Sequence, residues 1–223
     1  MKPVFSQLES GTLSDRIAGL IEKAIMSGAI GLGEPINTDA LARQFKVSHI
    51  PIREALKKLE ALGLIVQEPN KTARVLELTQ EDIKDIFKVR EVLESLAVME
   101  ATKRLDGPGK ERLQSLVDRM RQAGRSEDYD RMYAADNEFH QLIWQMSGNR
   151  FLARSLSTLL MPYFGYLATK GYFLHRNELD YVHRVHQEVL DAIAAGDSEK
   201  ARGVLNEIHN RSMRLMLESQ APS

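Results

Sequence analysis

The 223 residues include no cysteine, which excludes both disulfides and thiolate metal sites. Charge of one sign is also missing as a bulk property. Thirty Lys/Arg stand against 31 Asp/Glu, a formal net charge of −1, so the chain does not grip nucleic acid by general basicity. No apolar run approaches the ~18 residues that a membrane span requires. The N-terminus lacks the apolar core of a signal peptide. These absences predict a cytoplasmic protein with no membrane partner. Strand-forming segments are scarce outside residues 64–76, and neither an internal repeat nor a low-complexity tract occurs. The expected class is therefore mainly α.

What is present is organised around Thr38 to Leu64, TDALARQFKVSHIPIREALKKLEALGL. It reads as a helix, a tight turn and a second helix. Leu41, Ala42 and Phe45 give the first helix a short inner face, and Lys46 and Val47 form the turn. Ser48 is placed to cap the second helix through its hydroxyl, and Pro51 is tolerated in a first turn. Ile52, Ala55, Leu56, Leu59 and Leu62 repeat at helical spacing and are expected to face a core. His49, Arg53 and Lys57 fall four residues apart on the opposite side, and Gly63 supplies a left-handed stop. Seven Lys/Arg against three Glu between Ala40 and Arg74 make the charge local. Leu64-Ile65-Val66 and Ala73-Arg74-Val75-Leu76 are short β-type runs around a Pro-Asn turn. A hairpin directly after a helix-turn-helix is a winged helix, whose second helix enters a DNA major groove. Asn70 and Lys71 at the wing would lie beside phosphates. A plain helical hairpin with a solvated charged face is the bland alternative.

Upstream, Thr12-Leu13-Ser14-Asp15 reads as a capping box opening a stripe of Leu13, Ile17, Leu20, Ile21, Ala24 and Ile25. Downstream, Thr79-Gln80-Glu81-Asp82 is a second capping box, opening a helix to about Lys103. Gly107-Pro108-Gly109 breaks the chain, and a helix marked by Leu113, Leu116, Val117 and Met120 is closed by Gly124. Further helices are expected from Asp128 to Met146, from Phe151 to about Phe173 with a bend at Pro162, from Leu179 to Ala195, and from Ser198 to Leu217. Short loops between them predict an antiparallel all-α bundle. Two domains follow: residues 1–78, a winged helix-turn-helix, and residues 79–223, a helical domain for effector binding and dimerisation.

Several polar residues stand where this pattern calls for apolar ones. Asp136 and His140 share one helix face at i and i+4. His186 interrupts Leu179, Val182, Val189 and Ile193, and His209 lies with Leu205, Ser212 and Met216. Three imidazoles and a carboxylate from three helices form a reasonable first-row metal site. A hydrogen-bonded polar cluster in the core is the alternative. Arg90 lies on an inner helix face one turn before Glu94. It reads either as an i, i+4 ion pair or as a bidentate clamp for an effector carboxylate.

The strings IMSGAIGLGEPI, LARQFKVS and PIREALKKLEALGLI resemble the DNA-binding domain of the GntR family of bacterial transcription regulators, from about Leu13 to Leu78. Three positions depart from the family pattern. His49 and Ile50 replace a common Arg-Thr, Asn70 replaces a wing-tip glycine, and Asp39 replaces a cation. The segments DNEFHQLIWQMSGN, HQEVLDAIAAGDSEKA and IHNRS resemble the FCD effector domain of the FadR subfamily, in its six-helix, VanR-type form. That resemblance implies a divalent metal on Asp136, His140, His186 and His209, with zinc expected in the purified protein and nickel, manganese or iron compatible. It leaves His183 and His175 outside the ligand set. It further implies DNA contacts from Ser48, His49, Ile50, Arg53, Lys57, Asn70 and Lys71. A homodimer on a short inverted-repeat operator and a small carboxylate effector, with Arg90 as its possible anchor, complete the expectation. The resulting reading is a ligand-responsive repressor rather than an enzyme. Two rivals are a metal-dependent hydrolase, in which the same ligands activate water, and a DNA-binding protein whose metal and helical domain are purely structural.

Overall fold

The computed structural model describes residues 12–68, 71–170 and 176–219, with side chains undescribed at Met26, Tyr129, 161–179 and Ser219. The chain divides after Glu77 into two compact units.

In the first unit, α1 (Leu13–Met26) is followed by α2 (Thr38–Phe45), α3 (His49–Ala61), β1 (Ile65–Val66) and β2 (Arg74–Val75). The Thr12–Asp15 capping box closes α1 as its sequence requires. Ile17, Ile21 and Ile25 are buried, but Leu13 and Leu20 are 42% and 52% exposed. The buried stripe is thus narrower than the apolar pattern, because α1 meets its unit chiefly through α3. Asn37 caps α2, its Oδ1 accepting from the Ala40 N–H at 2.9 Å. Lys46 ends α2 in the left-handed region, φ 55°. That conformation is costly for a residue with a Cβ, and it makes the turn tight enough to bring α3 across α2. Ser48 is the α3 N-cap residue, yet its hydroxyl makes no capping hydrogen bond, contrary to the expectation. Ile52, Ala55, Leu56 and Leu59 are buried. Leu62 is 36% exposed, because the helix has already ended and Leu62 serves as its C-cap. Gly63 then takes φ 73°. The wing is an antiparallel pair, Ile65 opposite Val75 and Val66 opposite Arg74. The chain at Pro35 bridges to Arg74 on the other edge.

The second unit holds six helices among the described residues: α4 (Gln80–Arg104), α5 (Gly107–Ser126), α6 (Tyr129–Met146), α7 (Arg150–Lys170), α8 (Arg176–Ala194) and α9 (Ser198–Ser219). Gly107-Pro108-Gly109 starts a helix rather than merely breaking one. Asp106 caps it through the Gly109 N–H at 2.7 Å, and proline sits in the first turn, where no donor is needed. A Cβ on Gly109 would meet Asp106 Oδ1 at 2.8 Å and Met146 Cε at 3.0 Å. Glycine therefore permits the close approach of α5 to the end of α6. Gly124 does not end α5, which runs on to Ser126 and stops at left-handed Glu127. Asp128, Asn149 and Asp197 supply the caps of the next helices through their side-chain oxygens. The predicted end of α7 near Phe173, and His175, lie outside the described residues.

The core of this unit joins α5, α6, α8 and α9 through Leu113, Val117, Met120, Met132, Phe139, Val189 and Leu205. The connection between α5 and α6 is only residues 127–128, so the two helices turn back on each other and pack. The unit's first helix, α4, packs on α9, α6 and α7. Its inner face carries Arg90 and Glu94 among Ile83, Phe87, Ala97 and Val98.

Candidate nucleic-acid interface and buried histidine cluster

The outer face of α3 is defined by its apolar inner face. With Ile52, Ala55, Leu56 and Leu59 buried, His49, Ile50, Arg53 and Lys57 are turned to solvent. Ile50 is an apolar side chain left 68% exposed. Arg53 and Lys57 form no ion pair among the described residues. His49 Nδ1 lies 3.6 Å from Asp39 Oδ1, within ion-pair range. Two positions that depart from the family pattern thus meet in space. Lys71 is exposed on the wing and paired with Glu68 at 2.5 Å. Asn70 lies outside the described residues.

The second unit buries a charged cluster assembled by four helices. Arg90 and Glu94 come from α4, Asp136, His140 and Trp144 from α6, His186 from α8 and His209 from α9, each no more than 8% exposed. Helical spacing stacks Asp136, His140 and Trp144 on one face of α6. Burying this many polar groups is costly unless they satisfy one another.

Proton positions follow from which partners can only accept. His186 Nδ1 is 2.7 Å from the Val182 carbonyl oxygen, so Nδ1 donates. The neutral ring then keeps a lone pair on Nε2. That Nε2 faces Asp136 Oδ1 at 3.0 Å and His140 Nε2 at 3.4 Å. His140 Nδ1 in turn faces Glu94 Oε1 at 3.3 Å. With both rings neutral in these tautomers, Asp136 Oδ1 and the two Nε2 atoms are acceptors pointed at one another, an arrangement that a proton or a metal cation between them would satisfy. Asp136, His140 and His186 offer ligand atoms mutually within 4.8 Å, and so do Glu94, His140 and His209. His140 is common to both groups. The structure thus brings three of the four sequence-predicted ligands together and places His209 against Glu94.

His209 is 3% exposed. Its Nε2 makes an ion-pair contact with Glu94 Oε2, and Nδ1 has no hydrogen-bond partner among the described residues. Burial, and then the Arg90 charge, push its pKa down to about 4 against the pull of Glu94. Burial raises the Glu94 carboxyl, but the Arg90 charge, helped by the His209 and His140 rings against its oxygens, outweighs it and holds the group well below the carboxylate range. Asp136 is likewise lowered: burial works against the change, and the His186 ring, when Nε2 carries a proton toward Oδ1, drives it.

A pH effect follows. His209 titrates near 4 when folded and near 6.5 when unfolded, so the unfolded chain binds the extra proton first as pH falls. In chelator-treated protein, the stability tied to neutral His209 is complete above about pH 6.5. It is expected to fall by roughly 3 kcal/mol as pH drops from 6.5 to 4. Urea unfolding at half-unit pH steps tests this, and a flat profile over that window rejects it.

Glu94 is the residue whose centrality the sequence did not disclose. Its only signal was a carboxylate one turn after Arg90 on an otherwise apolar inner face. Trp144 Nε1 donates to its Oε1 at 2.9 Å and Arg90 Nε to its Oε2 at 3.0 Å. Arg90 therefore makes the ion pair that was one of its two expected roles.

Comparison with known proteins agrees with both units. Residues 13–75 match the family model for bacterial regulatory proteins of the gntR family, and residues 85–211 match the FCD domain model. A relative in Bacillus subtilis (strain 168), the uncharacterized HTH-type transcriptional regulator YdhC, is 30% identical, over 82% of this chain and 81% of that protein. The probable D-xylose utilization operon transcriptional repressor of Paenarthrobacter nicotinovorans is 26% identical, over 92% of this chain and 89% of its own length. The solved structure of E. coli McbR/YncC superposes with a TM-score of 0.82 at 23% identity, covering 95% of this chain and all of that one. The chain is therefore a DNA-binding transcription regulator of the GntR family, not an enzyme, and it carries an FCD domain behind its winged helix-turn-helix.

Proposed function

We propose that this regulator represses transcription as a homodimer on a short inverted repeat. A small organic acid, bound beside a divalent metal in the FCD domain, releases it. The observation that carries the metal reading is the convergence of Asp136 Oδ1, His140 Nε2 and His186 Nε2 as acceptors in a buried site. Asp136, His140 and His186 would hold the ion, joined by His209, whose neutral and under-partnered ring suits a fourth ligand. A donor set of one carboxylate and three imidazoles fits zinc, nickel, manganese or iron, with zinc expected in purified protein. When bound, the ion supplies positive charge and open coordination positions for a carboxylate.

Access from the surface supports an anionic effector. A cavity of about 200 Å³ between α4 and α9 is lined by His209 together with Lys84, Phe87, Lys88, Glu91 and Asn206, among others. Lys84 and Lys88 in its lining, against one carboxylate from Glu91, suit an organic anion, although both lysines also pair with Glu81 and Asp85 on the same helix. Arg90, committed to Glu94 through Nε, adds its charge to the field that a carboxylate meets. Repression is the activity named for the Paenarthrobacter relative.

A dimer follows from recognition by one short helix per chain, since a two-fold operator presents each half-site once to each copy. Val89, Val92 and Leu96, at 46%, 68% and 45% exposure, form an apolar stripe on α4 that a second copy would cover. Sedimentation as a monomer at operator-binding concentrations would remove the dimer from this proposal. Effector action is a population shift, the acid favouring a dimer geometry whose recognition helices no longer span successive major grooves.

The decisive experiment is a gel shift on the operator with a panel of small organic acids, with and without chelator. The acid that binds is expected to release DNA only from metal-loaded protein. His186→Ala should behave as chelated wild type, and His183→Ala should behave as untreated wild type. Release that is indifferent to chelator and to His186→Ala would make the metal structural or absent, which is the rival reading of a DNA-binding protein with a plain dimerisation domain.

A further inference from the structure

The acceptor convergence at the cluster depends on one residue outside the ligand set. His140 is the group shared by both sides of the cluster, and its two ring nitrogens face different partners. Nε2 faces His186 Nε2 at 3.4 Å, and Nδ1 faces Glu94 Oε1 at 3.3 Å. An ionised carboxylate can only accept, so Nδ1 carries the proton and Nε2 presents its lone pair to Asp136 and His186. Without Glu94, the lone pair on His186 Nε2 would favour the opposite tautomer, with the His140 proton on Nε2 and no lone pair left there for an ion.

Glu94 is itself held from both sides. Arg90 Nε donates to Oε2 at 3.0 Å, and the Trp144 indole donates to Oε1 at 2.9 Å. Arg90 is fixed in its turn over the Phe87 ring, 5.7 Å from its centroid. Each of these side chains is at most 4% exposed, so water does not compete for the contacts.

We propose that Glu94 is a positioning residue of the metal centre, fixing the tautomer and ring orientation of His140 so that Nε2 is the ligand atom. This rests on the metal reading given under Proposed function and adds to it a residue that donates no ligand atom. The physical logic is that of carboxylate–histidine–metal chains. The outer carboxylate raises the basicity of the imidazole and removes the entropy of a freely rotating ring. A direct ligand role for Glu94 is the competing assignment, since Glu94, His140 and His209 also lie within ligating range of one another. Against it, both Glu94 oxygens are already occupied by donors from Arg90 and Trp144. Swinging one oxygen onto an ion would leave a buried donor unpaired.

The test uses the full-length protein stripped of metal and titrated with Co²⁺ or Zn²⁺ alone against a competing chelator. Glu94→Gln is expected to weaken metal affinity by roughly 10- to 100-fold, the range for outer-shell partners of ligating histidines. Because that variant leaves Arg90 without its anion, Arg90→Met/Glu94→Leu is made alongside it. That pair removes both charges at similar volume, a replacement that buried ion pairs often tolerate. It should keep wild-type helicity while showing the same loss of affinity. Long-range ¹⁵N correlation of His140 in metal-free protein should show Nδ1–H in wild type and a shift toward Nε2–H in Arg90→Met/Glu94→Leu, a readout that mere loss of stability does not move. His186→Ala serves as the ligand control.

Wild-type affinity in both Glu94 variants, with His186→Ala impaired, overturns this proposal and leaves the metal reading standing. A loss in Glu94→Gln as complete as that in His186→Ala makes Glu94 a ligand and also overturns it. A wild-type chain that takes up neither ion overturns both readings together.

Discussion

Arg53→Ala is expected to abolish detectable operator binding while leaving helicity and assembly intact. Arg53 lies on the exposed side of α3, four residues from His49 and four from Lys57, with no intramolecular ion pair among the described residues. Nothing in its own unit is lost when it is truncated, so the effect falls on DNA. A guanidinium reading a base pair in the major groove contributes roughly 1–3 kcal/mol of discrimination. Paid in both half-sites of a dimer, that loss reaches the non-specific level. Lys57→Ala behaves differently as a phosphate contact. It should weaken binding to all sequences alike and lower the slope of log affinity against log salt by about one per half-site. Fluorescence anisotropy across a salt series separates the two. Operator affinity in Arg53→Ala equal to wild type would mean that α3 is not the recognition helix.

Arg90→Ala is expected to be the most destabilising single substitution in the helical unit, by roughly 3–5 kcal/mol, because it strands a buried carboxylate. Arg90 and Glu94 are each 2% exposed, and the Arg90 charge leads the effects that keep Glu94 ionised despite its burial. Trp144 is the chain's one tryptophan, and its indole donates to Glu94, so its fluorescence reports directly on this cluster during urea unfolding. Arg90→Met/Glu94→Leu should recover most of the loss, since no lone charge remains. A stability within about 0.5 kcal/mol of wild type in Arg90→Ala would place it among ordinary surface substitutions, and the ion pair would not be what holds this core.

The local elements were legible in the sequence because their causes are local. Thr12 with Asp15 and Thr79 with Asp82 close capping boxes three residues apart, and both form. Ile52, Ala55, Leu56 and Leu59 define a helix face by periodicity alone, which also fixes where His49, Arg53 and Lys57 point. Asp136, His140 and His186 could be singled out because polar residues at apolar positions of a helix need a partner wherever the helix packs. The DNA-binding family was legible for the same reason: its motif is one contiguous stretch.

Three things were decided only by packing between distant segments. Leu13, Leu20 and Leu62 read as core from periodicity but are exposed, because a helix buries only the arc that a neighbour covers. His49 and Asp39 are ten residues apart, and only the turn at left-handed Lys46 brings α2 and α3 together so that they pair. Glu94 and Trp144 are fifty residues apart, and Glu94 and His209 lie on the first and last helices of the unit. A sequence pattern assigns Glu94 to its nearest cation, Arg90, because i and i+4 is the range over which helical spacing speaks. That the same carboxylate also receives an indole and faces two imidazoles is set by the packing of α4 on α6 and α9, where side chains from separate helices share one buried volume and must satisfy each other's hydrogen bonds.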